Sequence, residues 1–254
     1  ISMRLQFVNR FTAFIFSAIC LMANGTETTL FVGNSYLYYN DSVHNHVEDL
    51  LREFYEDNDI HTELIAIGGS RLHHHSIDQI LNYQIFGLDK PVDRIIFQGG
   101  SSEVKTSKNR EMLAKTSKEY SRKAQEMGIE TYLYMTHPYQ KSDHRYEESL
   151  IEKIKLAYYQ AGKKSNSIVI PVGIAFEIAY EKNPSIRLHL PDGTHPNMLG
   201  TYLASSTVFA TLTGASPEGL EYDYMGRVND NDKAFLQKVA WLAYIQHKKN
   251  LKSE

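Results

Sequence analysis

Cysteine is nearly absent from this chain: the 254 residues hold one, Cys20. No disulfide can form within the chain, so the fold must be held by its core. There is no excess of base either, with 27 Lys and Arg against 30 Asp and Glu for a net charge of -3. No basic stripe stands out, which argues against nucleic acid as a partner. Internal repeats, low-complexity segments and Pro/Ser-rich linkers are also missing. What remains is a chain with 42% hydrophobic residues, long enough to bury a sizeable core and most simply read as one domain.

One extended apolar stretch lies near the start. From Met3, "MRLQFVNR" carries Arg4 and Arg10 and no acid, and "FTAFIFSAICLMA" follows, ending in Ala23-Asn24-Gly25. A basic start, a short apolar core and small residues at a cleavage point describe a secretory signal peptide over residues 1–25. The core is too short for a comfortable membrane span, so no stable membrane anchor is expected after cleavage. The alternative is a buried amino-terminal helix. A lipid anchor on Cys20 is disfavoured because bulky Ile19 precedes it. Cleavage leaves 25 bases against 30 acids and no cysteine. The expectation is an exported protein, periplasmic or secreted and bacterial in character, with one domain over 26–254.

Beyond residue 25, brief apolar runs alternate with longer amphipathic stretches. The runs lie at 28–33, 62–68, 93–99, 130–136 and 167–173, rich in β-branched and aromatic residues, and four of them end on glycine. Strands buried on both faces of a parallel sheet have this look. Between them, residues 41–57 place Val43, Val47, Leu50, Leu51 and Phe54 on one helical face, with Asp41 or Ser42 as N-cap. Two more helices end at Gly128 and Gly162, read as C-terminal stops. Late helices are expected at about 197–213 and 231–247, the second with Phe235, Val239, Leu242 and Gln246 on a stripe. Residues 214–231 form an irregular stretch suited to a rim or lid. This alternation predicts a three-layer α/β/α sandwich, flavodoxin-like, around a mostly parallel five-stranded sheet.

In such sheets ligands bind beyond the carboxyl ends of the strands. The first three runs end in Gly33-Asn34-Ser35, Gly68-Gly69-Ser70 and Gln98-Gly99-Gly100-Ser101-Ser102, and a loop after the fifth carries Asp192 and His195. Serines, glycine amides, a glutamine and an Asp-His pair at one sheet edge are the parts of a serine hydrolase: nucleophile, base, orienting carboxylate and fixed N–H donors. An aspartate three residues before a histidine can curl back to its Nδ1–H and leave Nε2 facing Ser35. Pro196 then suits the first position of the next helix. No G-x-S-x-G elbow occurs, so the α/β-hydrolase pattern is not supported.

"FVGNSY" and "DGTHPNMLGTYLAS" resemble the first and last blocks of the SGNH/GDSL hydrolase superfamily, and the intervening glycine and glutamine blocks occur in order between 28 and 213. The last block is the specific one. The order of blocks is similar to that of an exported bacterial branch. The resemblance implies serine esterase chemistry without metal or cofactor, with Ser35 as nucleophile, His195 as base and Asp192 as its acid. It implies an oxyanion hole from the N–H groups of Ser35 and Gly69, or its neighbour Gly68. The third block, "FQGGSS", resembles a Gln-containing version found in carbohydrate acetylesterases and suggests the Gln98 amide as third donor. With the register shifted, Gly100 takes the position of the usual asparagine and that donor is missing. Asn34 stands where many members carry Asp.

Other readings remain open. Ser35 could be only a helix N-cap, and Ser70 and Ser101 are rival nucleophiles after glycines. His73, His74 and His75 cannot all converge on one metal from a regular element and read as a solvated loop. His44 and His46 read as the exposed start of the first helix, and Tyr36, Tyr38 and Tyr39 as pocket walls or sheet caps. The expected activity is removal of a short acyl group, such as acetyl, from a carbohydrate or similar ester. The alternatives are a lipase, thioesterase or acyltransferase with the same triad, or a non-catalytic exported binding protein.

Overall fold

A computed structural model describes residues 27–252, so the segment read as an export signal lies outside the described residues. The five apolar runs become β1 (Glu27–Gly33), β2 (Ile60–Ala66), β3 (Arg94–Gln98), β4 (Glu130–Tyr134) and β5 (Ile168–Ile170). They pair in the order β2-β1-β3-β4-β5, and every pairing is parallel. Leu30, Phe31, Val32, Ile95, Ile96 and Phe97 are fully buried, as expected for central strands covered on both faces.

The helices are α1 (Ser35–Tyr38), α2 (Val43–Tyr55), α3 (Ile77–Ile80), α4 (Ser107–Gln125), α5 (Leu150–Ser165), α6 (Val172–Lys182), α7 (Met198–Thr213) and α8 (Asp230–Lys252). From β1 the chain crosses to β2 on one side, and from β3 it steps to β4 and β5 on the other. Right-handed crossovers therefore put α2 on one face and α4 with α5 on the opposite face. α7 packs beside α2, and α8 rests on α6 and α7. α7 is buried almost throughout. Its Ser205, Thr207, Thr211 and Thr213 satisfy their hydroxyls on carbonyls one turn back. None of the described helices is long and apolar enough to cross a membrane.

Several expectations need correction. Gly162 does not stop its helix; α5 runs on and ends at left-handed Asn166. A Cβ on Gly162 would stand 2.7 Å from Val169, so the glycine serves close helix–strand packing. The run at 167–173 holds only a short strand, because Val172 and Gly173 open α6, a helix apolar on nearly every side. α8 continues through the basic tail to Lys252. Its buried face is Leu236, Gln237, Val239, Ala240, Ala243 and His247, and Gln246 is exposed.

On α2, Phe54 is 41% exposed and His46 is fully buried, bonded to Tyr222 Oη and the Asn40 carbonyl, both at 2.7 Å. Ser42 takes the N-cap position of α2 without a side-chain capping bond. Pro196 lies outside α7, in an antiparallel bridge with His189, and Asn197 caps the helix. The stretch at 214–231 is a strap over α2 and α7: Glu53 accepts the Glu221 and Tyr222 amides, and Tyr202 Oη donates to the Tyr222 carbonyl.

Candidate active site

The strand order reverses direction between β1 and β3, and only Asn34 separates Ser35 from the end of β1. Such a switch point leaves a crevice at the carboxyl ends of the strands. Gly33 allows β1 to approach β3 closely there; a Cβ would stand 2.8 Å from both Gln98 Cβ and Leu37 Cδ1. Asn34, not Ser35, caps α1, its Oδ1 accepting the Tyr36 N–H at 3.1 Å. That leaves the Ser35 hydroxyl unspent on the helix.

The hydroxyl points instead to His195. Ser35 Oγ is 2.9 Å from His195 Nε2, and His195 Nδ1 is 2.6 Å from Asp192 Oδ2. An ionised carboxylate only accepts, so Nδ1 carries the proton and Nε2 is the acceptor for the Ser35 O–H. The loop that achieves this is a small hairpin. Leu190 N–H donates to the His195 carbonyl, and Asn197 N–H to that of Leu188. Asp192 Oδ1 accepts the Thr194 and His195 amides at 2.9 and 3.0 Å. Partial burial acts to raise the Asp192 pKa, but the His195 side chain and these two amides carry it below its ordinary value.

Sequence reasoning missed the supports of this loop. His137 stacks between Tyr36 and Phe176 at centroid distances of 4.1 and 4.4 Å and donates Nε2–H to the Thr194 carbonyl at 2.9 Å. Burial first, then the neighbouring His189, hold the His137 pKa well below the usual value, so it is a neutral prop. Tyr36 Oη lies 3.0 Å from Thr194 Oγ1. Gly193 turns the loop at φ 71° against the Ser142–Asp143 backbone, where a Cβ would be 2.8 Å from the Asp143 nitrogen. Tyr39 stacks on His195 itself, with centroids 4.3 Å apart. The tyrosine cluster was visible in the sequence; the roles of His137 and Phe176 had no local signal.

Among the other predicted residues, Gly69 lines the cleft at φ 69°, and neither its amide nor that of Ser35 bonds another group among the described residues. Gln98 does not reach the cleft. It is buried behind Asn34, donating Nε2–H to Asn34 Oδ1 and accepting the Asn34 N–H, both at 3.0 Å. The Gln98 amide is thus committed, which corrects its expected place as third oxyanion donor. Gly100 lines the cleft instead, but its N–H donates to Glu103.

Ser70 has a histidine of its own, with Oγ 2.9 Å from His75 Nε2. The Ser70 hydroxyl donates to the Gly33 carbonyl at 3.3 Å, and His75 Nδ1 has no hydrogen-bond partner among the described residues. No carboxylate orients this histidine, so the pair braces the second loop. His75 is therefore buried, and only His73 and His74 are solvated. Ser101 accepts from Tyr139 Oη at 2.8 Å and has no histidine partner. No cluster of potential metal ligands occurs among the described residues.

The cleft around Ser35 measures about 350 Å³. Its lining runs from Asn34, Tyr36, Tyr38 and Tyr39 through Gly68–Arg71 and Gly100–Ser102 to Arg145, Thr194 and His195.

Known structures share this architecture. A DUF4886 family protein from Bacteroides uniformis superposes with a TM-score of 0.71 at 19% identity, over 86% of this chain and 95% of that one. A proposed SGNH hydrolase from Slackia heliotrinireducens gives 0.62 at 21%, over 74% and 100%. An acetyl xylan esterase from Geobacillus stearothermophilus gives 0.54 at 14%, over 78% and 97%. No family model and no curated protein matches the sequence. At these identities the likeness is one of fold: the chain has the α/β/α architecture of SGNH hydrolases.

Proposed function

We propose that the protein is a serine ester hydrolase of the SGNH type. The observation that carries this reading is the unbroken chain Ser35 Oγ–His195–Asp192 at the switch point of the sheet. Ser35 attacks the ester carbonyl as its proton passes to His195 Nε2. Asp192 holds the resulting imidazolium, and the face of Tyr39 packs against it. The tetrahedral oxyanion sits on the N–H groups of Ser35 and Gly69. His195 then protonates the leaving alcohol, and water, deprotonated by the same base, releases the acyl group from Ser35.

A short acyl group on a carbohydrate or similar acceptor is the favoured substrate. Support comes from the lining of the cleft, which contains no Leu, Ile, Val or Phe side chain to hold a long acyl tail. Acetyl xylan esterases among the fold relatives support the same choice. The test compares wild type with Ser35→Ala on p-nitrophenyl esters of rising chain length and on acetylated polysaccharides. Turnover is expected to be highest for acetyl and lost in the variant, with the fold retained. A preference for octanoyl over acetyl contradicts the short-acyl reading.

A further inference from the structure

Beyond the Asp192–His195 pair, the charged side chains that line the cleft are of one sign. Arg71 and Arg145 both line it, and no Asp or Glu does. That is not the balance of the whole chain, in which acids outnumber bases.

Each guanidinium is held in place with donors to spare. Arg145 gives Nε–H and Nη2–H to Asp143 at 2.9 and 2.5 Å, and its plane lies over the Tyr139 ring, 4.2 Å from the centroid. Tyr139 is fixed in turn by its bond to Ser101 on the cleft wall. Among the described residues, the Nη1 group of Arg145 has no hydrogen-bond partner. Arg71 crosses over Gly100, where a Cβ would stand 3.0 Å from Arg71 Cγ, so the missing side chain at position 100 makes room for the arginine. Its Nη1 donates to Asn109 Oδ1 at 3.3 Å, and among the described residues its Nε and Nη2 have no hydrogen-bond partner.

The nearest acids do not cancel both charges. Asp143 neutralises one edge of Arg145. Glu103 is fully buried behind Gly100, bonds the Gly100 and Leu72 amides, and makes no ion pair with Arg71. Burial pushes the Glu103 pKa up, against the two amides and the Arg71 charge, which act to lower it. Guanidinium groups held at the wall of a small polar cleft are suited to a planar oxyanion, which they bind by charge-assisted hydrogen bonds.

Resting on the hydrolase reading above, we infer that Arg71 and Arg145 form an anion subsite beside Ser35, so that the substrate is an ester bearing a carboxylate or equivalent oxyanion. The anion belongs either to the alcohol part, as in an acetylated uronic acid, or to the acyl part, as in a half-ester of a dicarboxylic acid.

The experiment uses matched pairs. For the alcohol arm, 4-acetoxybenzoate is compared with its neutral methyl ester; for the acyl arm, p-nitrophenyl hydrogen glutarate is compared with p-nitrophenyl butyrate. Binding to Ser35→Ala is measured by calorimetry, which reads the subsite whether or not the enzyme turns over. The anionic member of one pair is expected to bind at least about tenfold tighter at low salt. That advantage should shrink as NaCl rises to about 0.5 M. Adding Arg71→Gln should remove most of the preference, and Arg71→Lys should restore part of it. The arm that shows the preference identifies which part of the ester carries the charge. Equal binding within both pairs overturns the subsite. So does a single Arg71→Gln substitution, with Ser35 intact, that lowers kcat equally for charged and neutral esters, because Arg71 would then serve the oxyanion itself. Selective binding without any turnover by wild type would keep the subsite and overturn the hydrolase.

Discussion

Asn34 and Gln98 hold each other through two hydrogen bonds of 3.0 Å, one from the Asn34 backbone N–H and one to its side-chain oxygen. Asn34 also donates Nδ2–H to the carbonyls of Ser70 and Gly99, at 3.0 and 3.3 Å. One buried side chain thus ties together the ends of β1, β2 and β3 directly under Ser35. A carboxylate at this position has no N–H to give, which accounts for asparagine here.

Replacing Asn34 with Asp sets a buried acidic oxygen against two carbonyl oxygens. We expect a loss of about 3 kcal/mol or more at pH 7, in the range for an unsatisfied buried charge. Gln98→Ala leaves the Asn34 amide without its acceptor and should cost about 2 kcal/mol. For a domain of this size that lowers Tm by roughly 4–8 °C. Guanidinium denaturation of both variants and of the double variant checks this. Fully additive losses would contradict the coupling, and a Gln98→Ala that loses activity with unchanged stability would return Gln98 to the oxyanion hole.

The glycines at 69 and 193 share a left-handed backbone but differ in surroundings. A Cβ at Gly69 meets nothing within 4 Å, whereas one at Gly193 runs into Ser142 and Asp143. Gly69→Ala should cost only about 1–2 kcal/mol, the conformational price of that region. Gly193→Ala should cost more and displace the Asp192–His195 loop. Thermal melts rank the two, and a smaller loss for Gly193→Ala is the contrary result.

Asp192→Asn keeps an oxygen for the Thr194 and His195 amides but turns an N–H towards His195 Nδ1. The imidazole then favours the tautomer with Nε2–H facing Ser35, which cannot accept its proton. We expect kcat to fall by about 10³–10⁴-fold with stability little changed, judged from triads of this geometry. Steady-state kinetics on p-nitrophenyl acetate checks it.

Buried neutral histidines set the acid limit of the fold. Burial, the first cause in each case, lowers the pKa of His189 to about 4 and that of His247 to about 4. Both folded values lie below the unfolded one, so the unfolded chain binds more protons and stability is lost as pH falls from about 6.5 towards 4. At pH 5 each histidine costs roughly 2 kcal/mol relative to pH 7.5. Denaturation at the two pH values should show the drop, and His247→Gln should reduce it. Asp143, held at about 2 by its hydrogen bond to Arg145, adds its own loss only below that window.

Much of this was legible in the residues, and the reasons for the exceptions are physical. Ser35, Asp192 and His195 could be read because the Asp-His spacing and the strand-end serine are local patterns whose chemistry requires those types. The strands could be read because central parallel strands are short and apolar. α6 was missed because a helix buried on nearly every side has no amphipathic period, and only Pro171 separates it from "SIVI". Gly162 was misread because a glycine that permits close packing looks the same as one that ends a helix. Gln98 was misassigned because its partner Asn34 lies 64 residues away, and pairing at that distance leaves no trace in either motif. Arg71 directly follows the second glycine block and could have been flagged; Arg145 carried no signal.

The central claim is that Ser35 is the nucleophile, made so by His195 and Asp192. The most direct measurement is mass spectrometry of the folded protein after treatment with a fluorophosphonate, with peptide mapping of the adduct. One adduct is expected, on Ser35, abolished in Ser35→Ala, nearly abolished in His195→Ala and retained in Ser70→Ala. An adduct on Ser70 or Ser101, or none on protein shown to be folded, would contradict it.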